Sequence, residues 1–237
     1  MTTLAIDTSE QACSVALACE GTVIDRASEI IGRGHAERLL PLIEERLAAA
    51  GRSYKDLERI AVTTGPGTFT GLRIGLSVAR GLALQADIPC VGVTGLTVLA
   101  AQVGASDNVP VHALITGRGG QAFYQRFMGK GGDGAPTPIT EPVGLDAEEI
   151  AEEVNSVGGI LVGSGVDLLL EKRLVDSTSP PSLVIDPARV IDPATLAQVA
   201  QQFSPADYPP EPTYFRAADA KKATPVLPVR QPADGSS

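Results

Sequence analysis

Two short stretches carry residue types that often handle nucleotides. Asp7, Thr8 and Ser9 close an apolar run, "TLAID", and residues 65–75, "GPGTFTGLRIG", link the strand-like "RIAVTT" to the helix-like "GLRIGLSVARGLAL". A carboxylate at a strand end can hold magnesium. A glycine-rich turn between strand and helix can cradle phosphate, because backbone N–H groups and the positive end of the helix both point at the ligand. The match is incomplete, since the loop has neither the Gly-Lys-Ser/Thr ending of a P-loop nor a G-x-G-x-x-G dinucleotide fingerprint. Gly163 and Gly165 in "GILVGSGV" could let backbone approach an adenosine, or could form an ordinary tight turn. Asp7 has a structural alternative too, accepting hydrogen bonds from the turn "DTSE".

Metal and nucleophile chemistry find little to work with. The histidines are His35 and His112, and no H-E-x-x-H pair exists. His35 follows Gly34 at a predicted helix start and reads as a capping or surface residue; His112, in "VHALIT", reads as half-buried and hydrogen-bonded. No Ser-His-Asp or Cys-His set is suggested. Cys13, Cys19 and Cys90 fit no paired framework and no C-x-x-C site, and read as small core residues in a reducing compartment. An even spacing puts Cys13 and Cys19 on one strand face. No catalytic residue and no metal ligand is assigned.

The elements that must position these residues form one pattern written twice. "TLAID", "CSVALAC" and "TVIDR" predict a three-strand meander, followed by a helix from about residue 36 with Leu39, Leu40, Ile43 and Leu47 as its apolar stripe. A strand at 60–63, the glycine loop, a helix over 72–84, a strand at 90–94 and a helix over 96–103 complete the first half. The second half repeats it more thinly, with strands "VHALIT", "QAFYQRFM", "GILV" and "SLVID" and helices "LDAEEIAEEVNS" and "PATLAQVAQQF". The expectation is an α/β protein of two lobes around mixed sheets, residues 1–104 and 105–216, with a loosely held tail at 217–237.

Composition narrows the function classes. Of 237 residues, 43% are hydrophobic but only 4% are aromatic, so the core must be aliphatic. The net charge of −9 makes the chain a poor independent binder of nucleic acid, whose affinity comes mainly from neutralised phosphates. The opening "MTTLAIDTSE" shows no charged leader and no long apolar run, so the expected setting is soluble and cytoplasmic, with no membrane partner.

One helix stands out. Gly71, Gly75, Ala79 and Ala83 recur every four residues as a strip with almost no side chain, while Arg73, Ser77 and Arg80 form a polar edge. Such a strip admits close backbone approach, either inside the lobe or at a partner.

"LAIDTSEQACSVAL" resembles the first-lobe opening of the superfamily that holds actin, sugar kinases and heat-shock chaperone ATPases. With "HAERLLPLIEERL", "GPGTFTGLRIGLSVARGLA", "LVGSG" and "PTYFR", the chain resembles the bacterial tRNA threonylcarbamoyladenosine biosynthesis family TsaB, also called YeaZ. The resemblance implies two actin-like (ribonuclease H-like) lobes, the second reduced. It implies a non-catalytic subunit that scaffolds a TsaD-like catalytic partner, joined by a TsaE-like ATPase and meeting tRNA only through the complex. TsaD carries an H-x-x-x-H metal pair, and Gly95 and Leu99 stand at those places here. The chain would need no cofactor of its own, with ATP or ADP at the complex interface, and would pair with itself when the partner is absent. The implied interface comprises His35, Glu37, Leu40, Gly71, Arg73, Gly75, Ser77, Ala79 and Arg80. Two rival readings remain, a stand-alone phosphotransferase using Asp7 and a peptidase. The first is weakened by Thr116, which stands where relatives tend to carry an acid; Gln121 is a second such place, its effect left open.

Overall fold

The computed structural model describes residues 1–106, 108–129, 135–175 and 183–213; the expected tail at 217–237 and most of "PTYFR" lie outside them. β1 (Thr2–Asp7), β2 (Ala12–Cys19) and β3 (Thr22–Ile30) form the expected antiparallel meander. β4 (Arg59–Thr63) and β5 (Cys90–Val93) add in parallel, giving the order β3-β2-β1-β4-β5. Successive side chains on a strand point to opposite faces. Leu4, Ile6, Val15, Leu17 and Ile60 therefore share one face, under α1 (His35–Ala49) and α2 (Phe69–Ala86). Ala5, Ala16, Ala18 and Ala61 share the other.

The alanine face lets helices lie close. α3 (Gly95–Gln102) and α6 (Pro193–Val199) fill the space between this sheet and a second one, with α6 lying on β1, β2 and β3. The last helix, expected with the second lobe, thus covers the sheet of the first. The second sheet runs β11-β10-β6-β7-β8, with β9 also on β7. Its strands are β6 (Pro110–Thr116), β7 (Gln121–Met128), β8 (Thr137–Pro138), β9 (Val143–Asp146), β10 (Gly159–Val162) and β11 (Leu183–Ile185). Val111, Ala113, Ile115 and Phe127 face the central helices, whereas Leu114, Tyr124 and Leu161 face α4 (Ala147–Val157) and α5 (Val166–Glu171). The result is five layers, helices alternating with two mixed sheets. Among the described residues no helix is long and apolar enough to cross a membrane.

Several sequence expectations shift. β8, β9 and α5 are short elements that periodicity did not reveal. α2 begins three residues before the expected start, because the Thr68 side chain caps it by accepting from the Gly71 N–H at 3.2 Å. The α1 stripe is Leu39, Leu42, Ile43 and Leu47, so Leu40 is 43% exposed rather than core. Cys13 is buried as expected, while Cys19 and Cys90 are half-buried.

His112 is wholly buried rather than half-buried. Its Nε2 donates to the Gly158 carbonyl at 2.8 Å, which leaves Nδ1 to accept from the Tyr124 hydroxyl at 2.9 Å. Acceptance at Nδ1 needs the neutral ring, and burial pushes its pKa below the ordinary 6.5, opposed by the bond to Gly158. The stability it contributes is therefore present above pH 6.5 and lost as pH falls through the lower folded value. Tyr124→Phe should leave Nδ1 unsatisfied at a cost of about 1–3 kcal/mol. Thermal unfolding at pH 8 checks this, since a Tm equal to that of the unaltered chain would contradict the pairing.

Candidate functional site

Between the two lobes lies a cleft of about 800 Å³. Glu10, Gln11 and Phe69 line it from the first lobe, and Thr116, Arg118, Gln121 and Phe123 from the second. Thr116 and Gln121, noted in the sequence as replacing acids, do meet at this cleft. Pro66, Gly67, Thr68 and Leu72 of the glycine loop line it too, whereas Asp7, Thr8, Ser9, Gly163 and Gly165 do not.

Asp7 is 1% exposed. Its Oδ1 accepts from the Ser9 N–H at 3.1 Å, the Ser9 hydroxyl at 2.7 Å and the Thr63 hydroxyl at 2.6 Å. Burial raises its pKa, and these three bonds oppose the rise. Asp7 therefore takes the turn-holding role left open above, and Thr8 and Ser9 are buried beside it.

The glycine loop turns toward this same turn. The Thr68 N–H donates to the Ser9 carbonyl at 2.7 Å, and the Thr8 hydroxyl donates to the Gly71 carbonyl at 2.7 Å. A Cβ on Gly67 would sit 2.3 Å from the Ser9 carbonyl oxygen, and one on Gly71 only 2.0 Å from that of Thr8. These glycines exist for backbone-on-backbone contact within the lobe. Gly163 and Gly165 follow the same rule. A Cβ on Gly163 would lie 2.1 Å from the Leu114 carbonyl oxygen, which also accepts from the Gly165 N–H at 3.1 Å. Both belong to a tight turn closed against β6, and neither offers free backbone to an adenosine.

The implied interface set divides in two. Gly71, Gly75 and Ala79 face inward: a Cβ on Gly75 would meet the Thr8 hydroxyl at 2.6 Å, and Ala79 is fully buried. His35 is 7% exposed, its Nε2 has no hydrogen-bond partner, and Gly34 caps the helix in the left-handed region without a side-chain bond. These four lie inside the lobe and are removed from any outer surface. The small-residue strip is internal packing. Glu37, Leu40, Arg73, Ser77 and Arg80 do reach solvent. The Arg73 guanidinium stacks 3.8 Å over the half-exposed Phe69 ring, and Leu84, at 85% exposure, extends the same helix surface.

Glu10 escaped the sequence reading. The Ser164 hydroxyl donates to its Oε1 at 2.6 Å and accepts from the Thr116 N–H at 3.0 Å. Burial pushes the Glu10 carboxyl up to about 7, opposed by the Ser164 bond. Its partner stands 154 residues away, so no local spacing announced the pair. Among the described residues, no three His, Cys, Asp or Glu side chains gather as a metal site. Of the two places that the resemblance sets opposite the TsaD histidines, Gly95 packs against Ile191 and Leu99 is fully buried.

Comparison with known proteins places this architecture. The family model for TsaD, tRNA N6-adenosine threonylcarbamoyltransferase, matches residues 27–137. The tRNA threonylcarbamoyladenosine biosynthesis protein TsaB of Escherichia coli K12 is 36% identical over 168 residues, 70% of this chain and 72% of that protein. The chain belongs to the TsaB family. YeaZ from Pseudomonas aeruginosa superposes with a TM-score of 0.75 at 27% identity, covering 90% of this chain and 99% of that one. The tRNA N6-adenosine threonylcarbamoyltransferase of Paracoccus denitrificans is 39% identical over 102 residues, 43% of this chain and 29% of that enzyme. The match to YeaZ covers both lobes, and the TsaD model matches a stretch from β3 through α1, the glycine loop and α2 into β6 and β7 of the second lobe.

Two substitutions check the internal roles. Asp7→Ala orphans three buried donors and should cost several kcal/mol at about 1–3 kcal/mol each, whereas Asp7→Asn keeps an acceptor and should lose far less Tm. Gly71→Ala forces a methyl group into the Thr8 carbonyl and should cost at least about 1–3 kcal/mol, each kcal/mol lowering Tm by about 2–4 °C. Equal Tm values for Asp7→Ala and Asp7→Asn, or an unshifted Gly71→Ala, would contradict these assignments.

Proposed function

We propose that this chain serves tRNA threonylcarbamoyladenosine formation as a non-catalytic subunit that docks a TsaD-like catalytic partner on the outward faces of α1 and α2. The observation that carries this reading is the division of α2. Its glycine face is closed against Thr8, while Arg73, Ser77, Arg80 and the 85%-exposed Leu84 face solvent, Arg73 lying over the Phe69 ring. An apolar and cationic face on a chain of net charge −9 is suited to a partner surface with acidic and apolar groups. The engagement of Asp7 by its own turn supports a scaffolding role, as do a buried Leu99 and a packed Gly95 where TsaD has its histidines.

In this reading the partner supplies the metal, and a TsaE-like ATPase joins the assembly. ATP or ADP sits where the subunits meet, so the chain needs no cofactor of its own. The acidic chain reaches tRNA through the complex, in the cytoplasm. A second copy takes the same outer face when the partner is absent. The phosphotransferase reading has no supporting observation, with Asp7 enclosed and Gly163 closed by Leu114. The peptidase reading has none either.

Complementation of a deletion strain provides the test, with modified adenosine counted by mass spectrometry of digested tRNA. Arg73→Glu combined with Arg80→Glu should keep the native Tm, weaken partner binding about tenfold or more (about 1.4 kcal/mol) and leave the modification depleted. Asp7→Asn should restore it. Full restoration by the charge-reversed chain, or failure of a well-folded Asp7→Asn chain, would overturn the proposal.

A further inference from the structure

The lobes are joined in two physically different ways. Between the sheets they share one apolar core, in which Ala5, Ala16 and Ala61 of the first sheet and Val111, Ala113 and Ile115 of the second pack on α3 and α6. At its margin Arg26 of β3 pairs with Asp192 at the start of α6 at 3.2 Å. At the cleft the junction is polar: Glu10, on the β1–β2 turn, accepts from Ser164 on the β10–α5 turn, and Ser164 in turn holds the N–H of Thr116 at the end of β6. Two second-lobe segments are thus tied to one first-lobe carboxyl through a single hydroxyl.

We propose that the Glu10–Ser164–Thr116 relay is a latch across the cleft, and that the charge on Glu10 sets how far the two lobes stand apart there. Glu10 is half-buried at the edge of the cleft, so an ionised carboxylate there loses part of its hydration, and one hydroxyl donor is a small replacement for water. Opening the cleft rehydrates it. A neutral Glu10 carries no such penalty and still accepts from Ser164 through its carbonyl oxygen, so the neutral form favours the closed arrangement.

The surroundings of Glu10 define the switch. Asp7, behind it on β1, is acidic and disfavours a second negative charge. Arg118, from the β6–β7 turn, lines the same cleft. On the side of α5, Asp167 is bonded to Arg189 at 2.7 Å, and on the side of α2, Arg73 lies over Phe69. With the latch closed, Glu10 titrates at about 7 against an ordinary value of 4.5. The closed form therefore binds the extra proton between those two values. Its advantage is complete below pH 4.5 and is lost as pH rises through about 7. A cationic or N–H-bearing group that enters the cleft and pairs with ionised Glu10 would oppose reclosure.

The distance between the lobes reads this directly in the full chain. Spin labels on p-acetylphenylalanine at exposed Lys55 and Glu152, one in each lobe, leave the native cysteines untouched. Measured by double electron–electron resonance from pH 5 to 8.5, the separation should lengthen as pH rises between the two values, 4.5 and about 7, and stay constant above them. Glu10→Gln should hold the short distance at every pH, and Ser164→Ala the long one. A flat profile in the unaltered chain or a Glu10→Gln chain that still titrates would each overturn the latch. Should Ser164→Ala fail to fold, the isosteric Glu10→Gln comparison still decides the matter.

Discussion

The contact between two backbones, the start of α2 and the turn after β1, constrains most of this molecule. Thr8 and Ser9 present carbonyl oxygens at positions where any Cβ on Gly71 or Gly67 would overlap them. Hydrogen bonds from Thr68 to Ser9 and from Thr8 to Gly71 close the seam. Asp7 holds the turn from behind through Ser9 and Thr63. Gly67 and Gly71 of the loop are thus matched to protein backbone. Because the seam fixes the rotation of α2 about its axis, it also decides which residues of that helix face out.

The same economy of side chains shapes the centre. A sheet with large aliphatic residues on one face and alanines on the other accepts two kinds of neighbour, long helices over the large residues and closely set helices over the small ones. Placing α6 on the alanine face returns the end of the described chain to the first sheet and welds the lobes along one core. The cleft is what remains open on the other side of that weld, with Glu10, Ser164 and Thr116 bonded across it and Phe69 and Phe123 among its walls.

Much of this was legible from local pattern. The meander, the glycine loop, the long helices and the two mixed sheets follow from period two, period 3.6 and turn residues. Tertiary facts were not legible. Leu40 and Leu42 are equivalent to a composition argument, and only the sheet beneath α1 distinguishes them. A four-residue repeat of glycine and alanine states that something approaches closely without stating what; the structure supplies Thr8. The faces of these helices were therefore only partly legible, with Gly71, Gly75 and Ala79 of α2 and His35 of α1 buried, and Arg73, Ser77 and Arg80 of α2 exposed. Glu10 was missed because its environment is built by a turn from the other lobe.

The central claim is that the outward faces of α1 and α2 form the docking surface for the catalytic relative. Hydrogen exchange of the full chain, with and without a TsaD-like partner at saturating concentration, tests it most directly. Slowed exchange should concentrate in α1 and α2, residues 35–49 and 69–86, while α4 and α5 on the far side exchange as in the free chain. Protection confined to α4 and α5, with α1 and α2 unchanged, would contradict the account.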